Sequence, residues 1–291
     1  MPGYTSLVYL VALIISNDLT LSLHSRRLLP KPIMMASSFV TSPTSVRCIA
    51  TATKGISQLA SSVGSGELDD PTSSTFGRQD YWNSLYGKEA NFSWYAGWED
   101  LEPFLDDFMK SKDDHILVPG VGNDATIVGM YDAGYSYLTA MDYAPEGIER
   151  CRDMLGPERL LHRTPSDNRA IGVDLVVADA RKLQAVFDND SFDAILEKGT
   201  LDAIFLSGGK DKSKCHQYLE MSIEELSRTV KHGGVWISVT AVAVDQIQDC
   251  FLSDQYKDHW DPIVLKDDFY TTEDGYTSNN IDGSFLVFKK R

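Results

Sequence analysis

From residue 115 onward, short apolar runs alternate with stretches whose apolar residues recur at helical spacing. The apolar runs predict five strands, at residues 115–119, 137–141, 173–177, 192–196 and 235–239. Pro145 begins one of the helices between them, and the longest covers about 215–230. Residues 263–266 and 284–289 predict a final hairpin. We therefore expect an α/β fold with a Rossmann-like, seven-stranded, mostly parallel sheet, an antiparallel C-terminal hairpin and helices on both faces.

Aromatic residues are dense ahead of the first predicted strand. They are Tyr81, Trp82, Tyr86, Phe92, Trp94, Tyr95 and Trp98. Apolar residues then recur at helical spacing between 101 and 108 and predict a helix. Aromatic residues are usually part of a core. Because these precede the alternating strands and helices, a wall or lid over a ligand site is the other interpretation.

The first 70 residues differ in composition from the rest and predict an extension that carries no chemistry, ahead of a single domain over 71–291. Residues 7–15 are apolar, which is too short to span a bilayer, so no stable membrane insertion is expected. Residues 19–66 contain no Asp or Glu but many Ser and Thr, as in transit peptides. We expect the chain to be directed to an organelle, either a plastid or a mitochondrion. Translation that starts at Met34 or Met35 would favour the mitochondrion. A disordered extension of a cytoplasmic protein is the alternative.

The charge is unevenly distributed along the chain. Residues 1–66 carry one acid and five bases, a net +4, so the net −15 of the whole chain leaves −19 for residues 67–291. An acidic body argues against a nucleic-acid partner and suits a basic protein. The four cysteines and six histidines show no ligand spacing, and no metal site is predicted. The oligomeric state stays open.

A glycine turn ends the first predicted strand and marks a candidate ligand site. Gly120 and Gly122 allow a sharp turn and let a ligand lie against the main chain. Asp142 ends the second predicted strand, 22 residues after Gly120, where an acid holds a ribose diol in nucleotide-binding αβ folds. Ala125 and Thr126 stand where a pyrophosphate loop would need further glycines. A ligand with ribose and adenine but no pyrophosphate is expected, which fits S-adenosylmethionine and not NAD.

Three acids come at the predicted carboxyl ends of strands. Asp142 ends the second strand, Asp179 follows the third and Glu197 follows the fourth. Ligands of parallel sheets bind at this edge. The sequence therefore predicts that all three lie at the ligand-binding edge; a chance occurrence, since loops favour Asp, is the alternative.

Residues 80–240 contain a set of short motifs. They are Tyr81-Trp82-x-x-x-Tyr86, Trp94-Tyr95, Leu117-Val118-Pro119-Gly120-x-Gly122-Asn123, Asp142-Tyr143, Asp179-Ala180-Arg181-Lys182-Leu183 and Phe192-Asp193-Ala194-Ile195-Leu196-Glu197-Lys198-Gly199-Thr200-Leu201-Asp202-Ala203. With these motifs the segment resembles one branch of the class I S-adenosylmethionine-dependent methyltransferases, which includes the lysine methyltransferases of elongation factor 1-alpha and of mitochondrial citrate synthase. The segment from Glu197 to Ala203 is specific to this branch. The chain departs from the pattern at Val121, where Cys is common, and at Asp124, where Ser is common.

The resemblance implies a set of cofactor contacts. Three aromatic side chains would close over the cofactor: Trp82, Tyr86 and Trp94. Gly120 would pass under its methionine part, and Lys198 would lie beside it.

The nucleoside end of the cofactor would have its own contacts. By the resemblance, Asp142 would hold the ribose hydroxyls and Tyr143 would flank the adenine. Asp179 and Ala180 would contact the adenine edge.

A protein-lysine methyltransferase is the first interpretation, with an elongation factor or an organellar metabolic enzyme as the substrate. Glu197 is the candidate catalytic acid that would orient the acceptor amine; the alternative is a partner of Lys198 or a helix-start acid. A small-molecule methyltransferase acting on a thiol, phenol or metabolite is the second interpretation. A binding module with a degenerate cofactor site is the third.

Overall fold

The computed structural model describes residues 74–88, 91, 93–163 and 170–291. The predictions for residues 1–70, including the transit peptide, lie outside this part of the chain. The strands are β1 His115–Pro119, β2 Tyr137–Asp142, β3 His162–Arg163, β4 Ala170–Val177, β5 Phe192–Lys198, β6 Val230–Thr240, β7 Trp260–Val264 and β8 Ser284–Lys290. The α-helices are α1 Gln79–Lys88, α2 Trp98–Phe108, α3 Thr126–Asp132, α4 Pro145–Leu155, α5 Thr200–Leu206, α6 Lys212–Thr229 and α7 Val244–Leu252.

The strands form one sheet in the order β3-β4-β2-β1-β5-β6-β8-β7. Strands β4, β2, β1, β5 and β6 are parallel, whereas β8 is antiparallel to both β6 and β7. The predicted α/β class, mostly parallel sheet and C-terminal hairpin are confirmed. The short strand β3 pairs antiparallel with β4 and adds an eighth strand to the seven expected. Within the described residues, no helix is long and apolar enough to span a membrane.

The order of the sheet fixes where a ligand can bind. The chain runs outward from β1 to β2 and β4, then returns to place β5 on the other side of β1. The loops after β1 and β5 therefore diverge and leave a crevice at the carboxyl ends of the strands, the usual ligand position in open α/β sheets.

Alternate residues of the central strands face two apolar cores, one on each side of the sheet. In β6, Ile237 and Val239 pack in one core and Trp236 in the other. This alternation follows from the two-residue repeat of a strand. Since both faces of the sheet are covered, its edge at the strand ends is left for polar side chains.

The hairpin strand β7 begins at Trp260, three residues earlier than the predicted start at residue 263. Trp260 is buried and packs edge-on against Trp236 and Phe251, with ring centroids 6.1 and 5.2 Å apart. Burial of the large Trp260 ring stabilises the fold more than Ile263 does, because Ile263 stays exposed. The indole therefore sets the position of the strand.

Candidate active site

The glycine turn after β1 is held by side chains from distant segments. Gly120 has a φ of 66°, and a Cβ there would lie 2.0 Å from Oγ1 of Thr200. That hydroxyl donates to the carbonyl of Pro119 at 2.8 Å. Gly122 has a φ of 53°, and a Cβ there would lie 2.9 Å from the hydroxyl oxygen of Tyr86. Both positions therefore require glycine for conformation and for space.

Asp142 lies at the end of β2, buried directly beside this turn. One carboxylate oxygen accepts from the amide of Gly122 at 2.9 Å, and the other accepts from the amide of Ala144 at 2.8 Å. Burial raises the pKa of Asp142 from 3.8 to about 6, although these backbone amides act to lower it. Because a carboxylate has about four acceptor positions, that of Asp142 can still accept from a ligand hydroxyl.

The predicted adenine contacts lie at the ends of β2 and β4, with one difference from expectation. The hydroxyl of Tyr143 is buried and has no hydrogen-bond partner within the described residues. Ala180 is buried. The Asp179 carboxylate, in contrast, is held by the guanidinium of Arg181, with Nη2 at 2.8 Å from Oδ2. Although burial acts to raise it, hydrogen bonds from Arg181 hold the pKa of Asp179 below its ordinary value.

Two of the predicted lid aromatics lie on helix α1 and are buried. Trp82 and Tyr86 stack with ring centroids 5.7 Å apart, and the indole of Trp82 donates to the carbonyl of Phe76 at 3.0 Å. Burial, chiefly, raises the pKa of Tyr86 well above 10. The Tyr86 ring also lies close to Gly147, at which a Cβ would be 3.1 Å from it. Helix α1 therefore covers the glycine turn and the start of α4.

Polar contacts that the sequence did not predict clamp α1 onto α4. The amide of Glu146 donates to Oδ1 of Asn83 at 3.0 Å. Arg150 donates to the carbonyls of Tyr86 and Gly87, at 3.0 and 2.8 Å. These partners are more than 60 positions apart, so no local pattern signals them. These contacts give hydrogen-bond partners to a free amide at the start of α4 and to free carbonyls at the end of α1.

Glu197 is fully buried and caps helix α5. Its Oε1 accepts from the amide of Leu201 at 2.9 Å, and its Oε2 accepts from the hydroxyl of Ser238. Burial raises the pKa of Glu197 from 4.5 to about 7, although both hydrogen bonds oppose that shift. The predicted contact with an acceptor amine has no support in this position. The geometry favours the helix-start alternative.

Lys198, which the resemblance places beside the cofactor, lies at the end of β5 in a buried ion pair with Asp124. Its ammonium group contacts Oδ2 of Asp124 and donates to the carbonyl of Trp94 at 2.9 Å. The other oxygen of Asp124 accepts from the hydroxyl of Ser93 at 2.6 Å and from the amide of Thr126 at 2.9 Å. Asp124 is thus a site residue that the sequence marked only as a departure from the family pattern.

Asp202 ties the segment around Trp94 to the far side of the site. Its carboxylate accepts hydrogen bonds from Tyr95 Oη, Thr240 Oγ1 and the amides of Ala241, Val242 and Ala243. Tyr95 has a φ of 62°, which is rare for a residue with a side chain and marks a conformation that the surroundings impose. The motif from Glu197 to Ala203 therefore joins the ends of β1, β5 and β6 to the aromatic segment.

These residues fit the nucleoside of a cofactor. The crevice offers a glycine turn, a buried carboxylate with free acceptor positions and an unpartnered buried hydroxyl on Tyr143. A ribose has hydroxyls that can donate to Asp142, and an adenine ring fits beside Tyr143. The described residues include no group of His, Cys, Asp and Glu that could hold a metal ion.

Comparisons with known proteins give a family match and several sequence relatives. Residues 117–238 match the family described as "Methyltransferase domain". The "eEF1A lysine and N-terminal methyltransferase homolog" of Drosophila pseudoobscura pseudoobscura is 29% identical over 171 residues, which are 58% of this chain and 23% of that protein. The Xenopus laevis "eEF1A lysine and N-terminal methyltransferase" is 29% identical over 176 residues, 60% of this chain and 23% of that protein.

A shorter relative aligns over a larger part of its own length. The "EEF1A lysine methyltransferase 4" of Bos taurus is 28% identical over 170 residues, 56% of this chain and 60% of that protein. The chain spans less than a quarter of the first two relatives. Among solved structures, the PH0226 protein of Pyrococcus horikoshii OT3 superposes with a TM-score of 0.41 at 17% identity, over 77% of this chain and 97% of that chain. The family match over residues 117–238 and the sequence matches agree with the predicted class I methyltransferase domain.

Proposed function

We propose that the class I methyltransferase domain of this chain transfers a methyl group from S-adenosylmethionine to a lysine side chain of a protein. The observation that carries the proposal is the meeting of the glycine turn, Asp142 and Tyr143 at one edge of the sheet. A lysine acceptor is supported by the relatives, one named as an eEF1A lysine and N-terminal methyltransferase homolog and another as an EEF1A lysine methyltransferase. An elongation factor or an organellar metabolic enzyme is the substrate we expect.

The protein's part in this reaction is binding, alignment and exclusion of water. When bound, the cofactor supplies a methyl group that its sulfonium already activates. Asp142 holds the ribose hydroxyls, and the close packing of Thr200 on Gly120 keeps the neighbouring turn in place. Trp82 and Tyr86 keep water from the crevice. Alignment and desolvation of this kind are the main sources of rate where no covalent intermediate is needed.

An acceptor lysine must lose its proton before it can attack, since its ordinary pKa is about 10.4. Trp94 and Tyr95 form an aromatic segment at the crevice, with ring centroids 6.2 Å apart. Aromatic surroundings remove water from an approaching amine and so favour its neutral form. This desolvation is the means of activation that we propose, because the carboxyl of Glu197 has no exposed surface.

The surface at the same sheet edge supports a basic protein substrate. Strand β7 runs parallel to β6, so the connection between β7 and β8, residues 265–283, lies at the carboxyl edge. It carries five acids against one base. The amide of Asp282 donates to the carbonyl of Tyr95 at 3.0 Å, which places this connection against the aromatic segment. Opposite charge speeds encounter and favours a basic partner.

Cofactor binding tests the proposal. S-adenosylmethionine and S-adenosylhomocysteine should bind in calorimetry, and NAD should not. Asp142→Ala should weaken the binding of S-adenosylhomocysteine by about 2–4 kcal/mol, because charge-assisted hydrogen bonds to the ribose are lost. Asp211→Ala, which removes a helix-capping carboxylate at the start of α6, is the control for a general loss of structure. Tight NAD binding, or an unchanged affinity in Asp142→Ala, would contradict the proposal.

We further propose that residues 1–70 direct the chain to a plastid or a mitochondrion. The support is the run from 19 to 66 without Asp or Glu and with many Ser and Thr. Residues 1–70 fused to a fluorescent protein should enter an organelle. A diffuse cytosolic signal would favour the cytoplasmic alternative.

A further inference from the structure

Residues Ser93–Tyr95, here named the Trp94 strap, are held at the crevice by polar contacts on both sides. On one side, the hydroxyl of Ser93 donates to Asp124 at 2.6 Å, and Lys198 donates to the carbonyl of Trp94 at 2.9 Å. On the other side, the hydroxyl of Tyr95 donates to Asp202 at 2.8 Å. The strap carries an aromatic side chain that we expect over the cofactor, so whatever holds the strap affects cofactor binding.

Asp124 makes contacts with three different segments. Its Oδ1 accepts from the hydroxyl of Ser93 and from the amide of Thr126, two residues further along the chain. Its Oδ2 instead pairs with Lys198. The side chains of Asp124 and Lys198 are only 13% and 8% exposed, so this is a desolvated ion pair.

Each member of such a pair depends on the other. An ammonium group so far from water is strongly unfavourable without a counter-charge. If Asp124 loses its charge, Lys198 must turn toward water, and the bond from Lys198 to the carbonyl of Trp94 is lost with it. Loss of one charge would therefore release the strap, although Asp124 makes no bond of its own to Trp94.

We propose that Asp124 is a positioning residue for the cofactor: through Lys198 and Ser93 it holds the Trp94 strap in its closed position. This rests on the proposed function, since it assumes that the crevice binds S-adenosylmethionine. The charge is a departure from the branch that the chain resembles, in which Ser is common at this position. A serine hydroxyl can accept a hydrogen bond but cannot neutralise Lys198.

Asp124→Asn removes the ion pair but keeps the contacts of Oδ1 with Ser93 and Thr126. The amide oxygen can still accept from Ser93 and Thr126, but the charge opposite Lys198 is gone. In calorimetry we expect S-adenosylhomocysteine to bind about tenfold more weakly. In hydrogen exchange without ligand, the amides of the strap should exchange faster. Asp211→Asn makes the same change at the N-cap of α6, where the carboxylate accepts only from backbone amides, and should alter neither measurement.

A double-variant comparison tests whether Asp124 acts through Lys198. Lys198→Met removes the buried charge, so Asp124→Asn should cost less than twofold in that background. This double variant also avoids an unpaired buried ammonium and stays informative should Asp124→Asn unfold. Equal affinity in wild type and Asp124→Asn, tighter binding in the variant, or a full tenfold effect without Lys198 would overturn the inference. No binding by the wild type would instead refute the proposed function.

Discussion

Replacing Glu197 by Gln separates a structural role from a catalytic one. An amide keeps an oxygen for the amide of Leu201 and can donate to the hydroxyl of Ser238, so both contacts of the carboxyl group can persist. What changes is the charge. Burial raises the pKa of Glu197 from 4.5 to about 7. Ionisation of this carboxyl group therefore destabilises the folded state relative to the unfolded state.

The size and sign of the effect follow from that pKa. A folded-state pKa above the unfolded one favours folding fully below pH 4.5, and this contribution is lost as the pH rises through about 7. One pKa unit corresponds to about 1.4 kcal/mol, so the difference between the folded-state and unfolded-state pKa values corresponds to about 3 kcal/mol of unfolding free energy. Glu197→Gln stays neutral, so at pH 8 it should be more stable than wild type by up to about 3 kcal/mol, and the gain should vanish near pH 4.5.

Urea unfolding at pH 4.5, 6 and 8 measures this gain directly. Glu225→Gln is the matched control, because Glu225 is also nearly buried and accepts from the amide of Leu183. Its oxygen faces Arg228 at 3.4 Å, so removing its charge should not stabilise the protein. In activity assays, Glu197→Gln should keep kcat within about threefold, whereas an acid that orients the acceptor contributes about 10²-fold or more. A pH-independent stability difference, or a large loss of kcat, would refute this reasoning.

Two further predictions concern the turn and the acidic connection. Gly120→Ala should lower the unfolding free energy by more than Gly134→Ala does. Gly134 is the control because it also has a positive φ, 97°, but has open space around it. The difference between the two variants in urea unfolding measures the collision with Thr200 at the turn, which we expect to cost about 1–3 kcal/mol. Equal losses would mean that the turn is not closely packed. Glu273→Lys should slow methylation of a basic protein substrate at low salt and reduce its salt dependence, whereas Asp258→Lys, just before β7 and so near the opposite edge, should not. Equal effects of the two charge reversals would exclude residues 265–283 as the docking surface.

The parts of the site that the sequence predicted are those governed by local geometry. Gly120 and Asp142 could be placed because a strand end and the turn after it are encoded within a few residues. The spacing of 22 residues then brings the two together, since β1 and β2 are neighbours in register. The sheet class followed in the same way from alternating strands and helices.

The polar connections of the site could not be predicted from the sequence. Asp124 pairs with Lys198 over 74 positions, and Asp202 bonds to Tyr95 over 107. Such contacts depend on how loops pack, which no periodic pattern records. The burial of Glu197 could not be predicted for the same reason. The local sequence around an acid at a strand end is the same whether its carboxyl group faces the crevice or lies beneath it.

The measurement that tests the account most directly is transfer of a labelled methyl group. The full chain is mixed with cell extract and methyl-labelled S-adenosylmethionine, with Asp142→Ala as the inactive control. The account predicts label in protein, released as methyl-lysine on complete digestion and absent with the variant. Label only in small molecules, or label in protein that does not digest to methyl-lysine, would contradict it.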